Sequence, residues 1–282
     1  MARSILSRAD KSYKDLPFLN SPDARSLRIL SEFLHPHSRF RRVGIKDTVV
    51  FFGSARLSSR AAARKAERAA RKAAEARRTK KNLTRLEDAS VDLEMSGYYE
   101  DAVALARKMT DWSKRLFHSN RFVVCSGGGP GIMEAANRGA KLARGRSIGL
   151  NISLPFEQNP NPFISPELNF EFHYFFMRKF WFVYLAKAFV MFPGGFGTFD
   201  ELMEVLTLLQ TAKIKKPVVV VLYGREFWNS VIRFDELVRR RLISKKDLNL
   251  FEFADTPDEA YKLLTKRLRA LYPKETEEQQ VT

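Results

Sequence analysis

Phe122-Val123-Val124-Cys125-Ser126-Gly127-Gly128-Gly129-Pro130-Gly131-Ile132-Met133-Glu134 runs from an unbroken apolar segment through a glycine turn into a helix-like pattern. A strand apolar on both sides is buried on both faces, as in a parallel sheet covered by helices. A glycine turn between such a strand and a helix aims backbone N–H groups at an anion. The arrangement recurs at Phe189 to Phe192, followed by Pro193-Gly194-Gly195-Phe196-Gly197-Thr198-Phe199-Asp200-Glu201.

Working outward from these two turns, the pattern alternates. Strands are expected at Thr48 to Phe52, Phe122 to Cys125, Ser147 to Ile152, Asn169 to Phe172, Phe189 to Phe192, Val218 to Leu222 and near Leu250 to Phe253. Helices are expected at about Tyr99 to Phe117, Ile132 to Ala143, Met177 to Lys187, Phe199 to Thr211, Glu226 to Arg241 and Pro257 to Leu271. This alternation predicts an α/β fold, a Rossmann-like doubly wound parallel sheet with helices on both faces. Ligands of such sheets bind beyond the carboxyl ends of the strands, where both glycine turns fall. Residues 1–45 read as an N-terminal extension, 46–272 as the Rossmann-like nucleotide-binding domain, and 273–282 as a flexible polar tail. The domain carries a basic helical insertion at about 58–97, and no internal repeat is apparent.

The 282 residues, 45% hydrophobic, suffice for a full core. Lys and Arg number 49 against 32 Asp and Glu, so the surface attracts anions. The basic residues concentrate between Arg60 and Lys81, ten of them against Glu67 and Glu75 on an alanine background, which predicts a positive helix. A solvated helix or an oligomer edge is the favoured reading. Nucleic acid is not an expected partner, since no aromatic residue is interleaved with the charges. The one cysteine, Cys125, allows no intrachain disulfide and fits a reducing cytoplasm; at a strand end beside a glycine turn it reads as a small buried hydrophobe. Met1 to Asp10 has no signal-peptide core, and the apolar stretch Phe170 to Phe192 is broken by Arg178, Lys179 and Lys187, so a soluble chain with no membrane partner is expected.

Several chemistries are disfavoured. After Gly127 and Gly129 the third position of a dinucleotide fingerprint is Ile132, and the next strand ends in Asn151-Ile152-Ser153 without an acid. No phosphate-gripping P-loop lysine motif is present, and the four histidines show no zinc spacing. Anion binding by backbone alone remains. Thr198-Phe199-Asp200-Glu201 matches a capping box, which the spacing alone favours, yet a Glu one turn beyond a phosphate loop lies a ribose-length away, where a carboxylate can steady an oxocarbenium ion or orient water. Arg178 and Lys179 near a helix start oppose the helix dipole and suggest a bound anion, the plainer reading being solvation or a surface acid. Phe172 to Phe176 offers a stacking wall for a base or simply core, and His173 reads as structural.

The GGGPGIM-E turn, the Arg-Lys pair and PGGFGTFDE together resemble the LONELY GUY family of cytokinin riboside 5′-monophosphate phosphoribohydrolases, whose members carry PGG-x-GT-x-x-E and were long labelled lysine decarboxylases. The resemblance covers about Thr48 to Leu264. It implies a Rossmann-like homodimer that hydrolyses the N-glycosidic bond of a nucleoside 5′-monophosphate, of AMP or cytokinin type, to free base and ribose 5-phosphate. By motif, Arg178 and Glu201 are the catalytic pair. Gly194, Gly195, Gly197 and Thr198 hold the phosphate, Gly128, Gly129 and Gly131 close the pocket, and Lys179 joins the nucleotide contacts. No metal or organic cofactor is expected. Two positions depart from the family: the usual M-H-x-R-K is Phe175-Phe176-Met177-Arg178-Lys179, and the C-G-S-S turn is Phe52-Gly53-Ser54-Ala55. Both lie near the expected base and leave its identity open. A non-catalytic nucleotide or molybdenum-cofactor carrier is the alternative of a different class. A pyridoxal-dependent decarboxylase is third, because no Schiff-base lysine follows either glycine turn.

Overall fold

A computed structural model describes residues 9, 11–116, 120–155 and 159–277. In chain order the elements are α1 (Leu16–Asn20), α2 (Arg25–Val43), β1 (Thr48–Phe52), α3 (Arg60–Ala76), α4 (Lys80–Arg115), β2 (Val123–Ser126), α5 (Ile132–Leu142), β3 (Ser147–Ile152), β4 (Asn169–Phe172), α6 (Phe175–Leu185), β5 (Ala186–Met191), α7 (Phe196–Gln210), β6 (Val219–Tyr223), α8 (Arg225–Val231), α9 (Phe234–Arg239), β7 (Glu252–Ala254) and α10 (Pro257–Leu271). The strands form one seven-stranded sheet in the order β4-β3-β2-β1-β5-β6-β7. Every pairing is parallel.

Alternate residues of the central strands serve two cores. Val49 and Phe51 of β1 face a layer built with α4, α5 and α10, joined by Trp112, Leu105 and Leu264. Val50 and Phe52 face the other way, into a layer of Phe182, Leu202, Trp228 and Phe40 contributed by α6, α7, α8 and α2. All five residues of β1 are buried, the reason its sequence reads as an unbroken apolar run. Strand order reverses between β2-β1 and β5, which opens a crevice at the carboxyl ends of these strands. The expected doubly wound sheet is therefore the fold observed.

Several boundaries differ from the sequence reading, among them Ala186 and Lys187, expected in a helix and found in β5. Gly97 does not end the basic segment: α4 runs through it from Lys80 to Arg115, and α3 folds back along α4. The helix expected at 226–241 is two, α8 and α9, separated at Ile232 and Arg233. Helix α6 begins at Phe175, so Arg178 and Lys179 occupy its second turn. Helix α7 begins at Phe196, with Gly195 as N-cap and no side-chain cap, so Thr198 and Glu201 lie inside it and form no capping box. Phe117, the expected end of a helix, and residues 278–282 of the expected tail lie outside the described residues.

Helix α2 packs against α6. Phe33 and Phe40 meet Trp181 with ring centroids 5.7 and 5.4 Å apart, and Trp181 Nε1 donates to the Glu32 carbonyl at 3.0 Å. No described helix is long and apolar enough to cross a membrane.

Candidate functional site

Three loops meet at the crevice: the Gly53-Ser54 turn after β1, the Gly127–Gly131 turn after β2 and the Pro193–Gly195 turn after β5. Ser54 joins the other two. Its N–H donates to the Pro193 carbonyl at 2.9 Å, and its carbonyl accepts from Ile132 N at 3.0 Å. Gly131 has φ +72°, and a Cβ there would be driven into the Ser54 carbonyl. Gly53 abuts Ile132, where a Cβ would lie 2.7 Å from Cγ1. These glycines permit three backbones to approach closely, so their role is packing of the crevice floor.

The glycine turn after β2 is tied down from below. Asn161 Nδ2 donates to the carbonyls of Gly128 (2.9 Å) and Gly129 (3.1 Å) and to Asn137 Oδ1 (2.9 Å). Ser126 Oγ donates to Asn137 Oδ1 at 2.7 Å and accepts from Gly128 N at 3.1 Å. Asn137 and Asn161 are both buried, so this satisfied network fixes the loop. Sequence reasoning missed Asn161, which sits in an aperiodic loop; an Asn between Pro160 and Pro162 was the only local signal.

The loop after β5 is open. A Cβ on Gly195 or Gly197 would meet nothing within 4 Å, and Phe196 between them is 96% exposed. The first turn of a helix leaves leading N–H groups without intrahelical partners; here Thr198 N donates to the Gly195 carbonyl at 2.9 Å, and among the described residues the N–H groups of Phe196 and Gly197 have no backbone acceptor. Thr198, buried, packs its side chain under Gly194. The glycines expected to hold phosphate, Gly194, Gly195 and Gly197, thus form this open turn, while Gly128, Gly129 and Gly131, expected to close the pocket, lie buried beside it.

Glu201 projects from the same helix. It is 4% exposed, and among the described residues neither of its oxygens accepts a hydrogen bond; the nearest cation there is Lys179 Nζ, 3.7 Å from Oε1. Burial pushes its pKa up to about 7, against the pull of Lys179 and then Arg178 and with the repulsion of Glu204 and Asp200. Lys179, expected to contact nucleotide, has its ammonium at 2.8 Å from Asp200 and 2.7 Å from Glu204. Burial lowers the Lys179 pKa, but the hydrogen bonds to Asp200 and Glu204 leave it above the ordinary lysine value.

Arg178 stands over Phe175 and Phe182, its guanidinium carbon 5.0 and 5.6 Å from the ring centroids. It borders the β2 glycine turn: a Cβ on Gly127 would lie 3.9 Å from Arg178 NH1. Among the described residues its buried Nε has no hydrogen-bond partner, and no carboxylate lies within ion-pair distance of its guanidinium. Burial lowers its pKa while Glu201 and Asp200 raise it, and a guanidinium stays charged throughout. An unpaired, partly desolvated cation is costly unless an anion or a polar ligand completes it.

The backbone leading into the Arg-Lys helix is held by an acid of the chain itself, which touches neither Arg178 nor Lys179. Glu32 of α2 accepts from His173 N at 2.7 Å and Tyr174 N at 3.3 Å, just before α6. This bond joins residues 141 positions apart and so left no local sequence signal. The Cys125 thiol is buried and held protonated by desolvation, as a small core residue would be. Among the described residues no group of three His, Cys, Asp or Glu side chains is placed to hold a metal ion.

A doubly wound parallel sheet with an open glycine turn, a buried glutamate and an adjacent arginine and lysine at its switch point is an arrangement that can hold an anion. Residues 133–264 match the sequence model of the family described as "Possible lysine decarboxylase". Among similar proteins, a rice (Oryza sativa subsp. japonica) protein named probable cytokinin riboside 5′-monophosphate phosphoribohydrolase is 28% identical over 57% of this chain and 68% of its own length. The pyrimidine/purine nucleotide 5′-monophosphate nucleosidase of Escherichia coli K12 is 31% identical over 34% of this chain, which spans only 22% of that enzyme. A molybdenum-cofactor carrier structure from Chlamydomonas reinhardtii aligns at 17% identity and a TM-score of 0.44, over 80% of this chain and 99% of that one.

Proposed function

We propose that the chain hydrolyses the N-glycosidic bond of a nucleoside 5′-monophosphate, releasing the base and ribose 5-phosphate. The observation that carries this reading is the placement of one buried, hydrogen-bond-free carboxylate, Glu201, on the helix whose first turn is an open anion cradle. Gly195 and Glu201 are six positions apart, about 9 Å along the helix axis, so the carboxylate stands above the turn on the same helix. The names of the rice and Escherichia coli relatives support the same reaction class.

In this reading the phosphate docks on the backbone N–H groups of Gly194, Gly195, Gly197 and Thr198. As the C1′–N bond lengthens, its electron pair leaves with the base and positive charge develops on the ribose. The Glu201 carboxylate stabilises that charge and orients the water whose oxygen bonds to C1′. Arg178, held over two rings without a carboxylate partner, contacts the phosphate or polarises the leaving base. Lys179 acts mainly on Glu201, by holding it and its neighbours Asp200 and Glu204 in place. Phe176, in the position of the family's usual histidine, is 54% exposed beside Tyr174 and makes the base side of the site more apolar. The exposed aromatic stripe Phe176, Phe180 and Tyr184 on α6 is the surface we assign to the homodimer that the resemblance implies.

The test is base release from AMP, GMP, CMP, UMP, IMP and isopentenyl-AMP, with adenosine as the phosphate-free control, for wild type and Glu201→Gln. Release from monophosphates alone, lost in the variant, is expected. Silence across the panel with nucleotide still bound would replace the hydrolase by a carrier.

A further inference from the structure

The α3–α4 hairpin is a basic arm that the proposed reaction does not use. Tyr99 fixes where it leaves the body: its hydroxyl donates to Glu134 Oε1 at 2.7 Å, at the start of α5 and so at the carboxyl edge of the sheet. Since α4 ends at Arg115 and the chain then enters β2, the helix runs from that edge toward the opposite one. Its residues 80–94, about 22 Å of helix, therefore extend past the edge with α3 packed alongside, while Met95 and Tyr98 pack against the core.

The hairpin sorts its charges. Helix α3 buries Ala63, Glu67, Ala70 and Ala74. Glu67, one of its two acids, is turned inward and held by Arg71; the other, Glu75, is exposed. Eleven Lys and Arg residues from Arg60 to Arg85 are exposed, and only Arg71 has a carboxylate within ion-pair distance among the described residues. Arg64, Lys65, Arg68 and Lys72 share the outward side of α3, and Arg77, Arg78, Lys80 and Lys81 crowd the turn to α4. Unpaired cations therefore repeat along about 25 Å of helix and continue around the tip.

We propose that this arm docks on the phosphate backbone of double-stranded nucleic acid, by charge and without reading sequence. A duplex presents closely and regularly spaced negative charge, and neutralising it releases counterions. A single helix face fits the roughly 12 Å major groove. The residues between the cations of α3 are alanines, and no Trp, Phe or Leu is present to enter the acyl region of a bilayer. No aromatic ring lies on α3 to stack unpaired bases, which favours a duplex over a single strand. Sequence alone favoured a solvated helix; the structure adds the inward turn of Glu67 and the projection of the hairpin from the body.

The test is fluorescence anisotropy with a labelled 20-base-pair duplex of mixed sequence, from 50 to 200 mM salt. It uses the whole chain and the variant Arg64→Gln/Lys65→Gln/Arg68→Gln/Lys72→Gln, with circular dichroism to confirm retained helix. Wild type should lose affinity steeply with salt. The variant should bind at least about 100-fold more weakly at 50 mM, with a log–log salt slope shallower by about 3. A control pair on α9, Arg239→Gln/Arg240→Gln, should bind as wild type. No duplex binding at 50 mM salt, full binding by the quadruple variant, or equal loss in the α9 control would each overturn the proposal. So would binding to phosphatidylserine vesicles without binding to duplex, which would make a membrane the partner. None of these results depends on base release from monophosphates.

Discussion

Lys179 Nζ lies 3.7 Å from Glu201 Oε1 and closer still to Asp200 and Glu204, so one ammonium serves three carboxylates of α7. The division leaves Glu201 undercompensated in a buried site, which is why its pKa rises to about 7.

In the proposed reaction Glu201 works as a carboxylate, so protonation should switch the free enzyme off. The rate constant kcat/KM is expected to fall about tenfold per pH unit below about 7 and to level above it. Lys179→Met removes a charge that lowers this pKa, so the acid limb should move to higher pH. A limb left in place in the variant would show that another group titrates.

Stability should follow the opposite course. Glu201 binds its proton more tightly folded, at about 7, than unfolded, near 4.5, so the native state holds more protons between these values and loses stability as pH rises through them. Glu201→Gln is expected to raise Tm by about 5 °C at pH 8 and hardly at all at pH 4. Base release should drop at least ~100-fold while nucleotide binding persists. Thermal scans at the two pH values, with isothermal titration of AMP, check both.

The two glycine turns should respond differently to a methyl group. Gly131→Ala meets a positive φ and the Ser54 carbonyl, so a loss of at least ~2 kcal/mol is expected in urea unfolding. Gly197→Ala meets open space and should leave stability within about 0.5 kcal/mol. Its methyl stands where the phosphate is proposed to dock, so KM for the monophosphate should rise.

Glu32 holds the backbone entering α6, and its loss should be felt at Arg178. Glu32→Gln is expected to destabilise by about 1 kcal/mol, as capping and helix-dipole contacts do. It should lower kcat more than it raises KM, because the phosphate turn on α7 is untouched. Glu32→Asp should recover part of kcat; equal losses in all variants would leave Glu32 a purely structural cap.

The seven strands were legible because parallel strands buried on both faces read as continuous apolar runs, β1 and β6 most plainly. Helix starts were less so. Gly195-Phe196-Gly197 looks like loop, yet helix α7 begins inside it, since first-turn glycines forgo no intrahelical N–H bonds. Gly97 looks like a breaker, but α3 packed along α4 carries the helix through it. At the candidate site, Arg178, Glu201 and the open turn could be named from motif, whereas Asn161 and Glu32 act across long sequence separations and leave no periodic trace.

Ser54 ties the glycine turns of β2 and β5 through its own backbone, one bond on each side. A loop held this way cannot swing without dragging its neighbour, so the crevice floor moves as one rigid plate. Access to the proposed site is then governed by side chains at its rim, with the exposed Phe196 as the part free to rotate. Slow amide exchange at Ser54 and Ile132, beside fast exchange at Gly195, is the signature this mechanical coupling leaves.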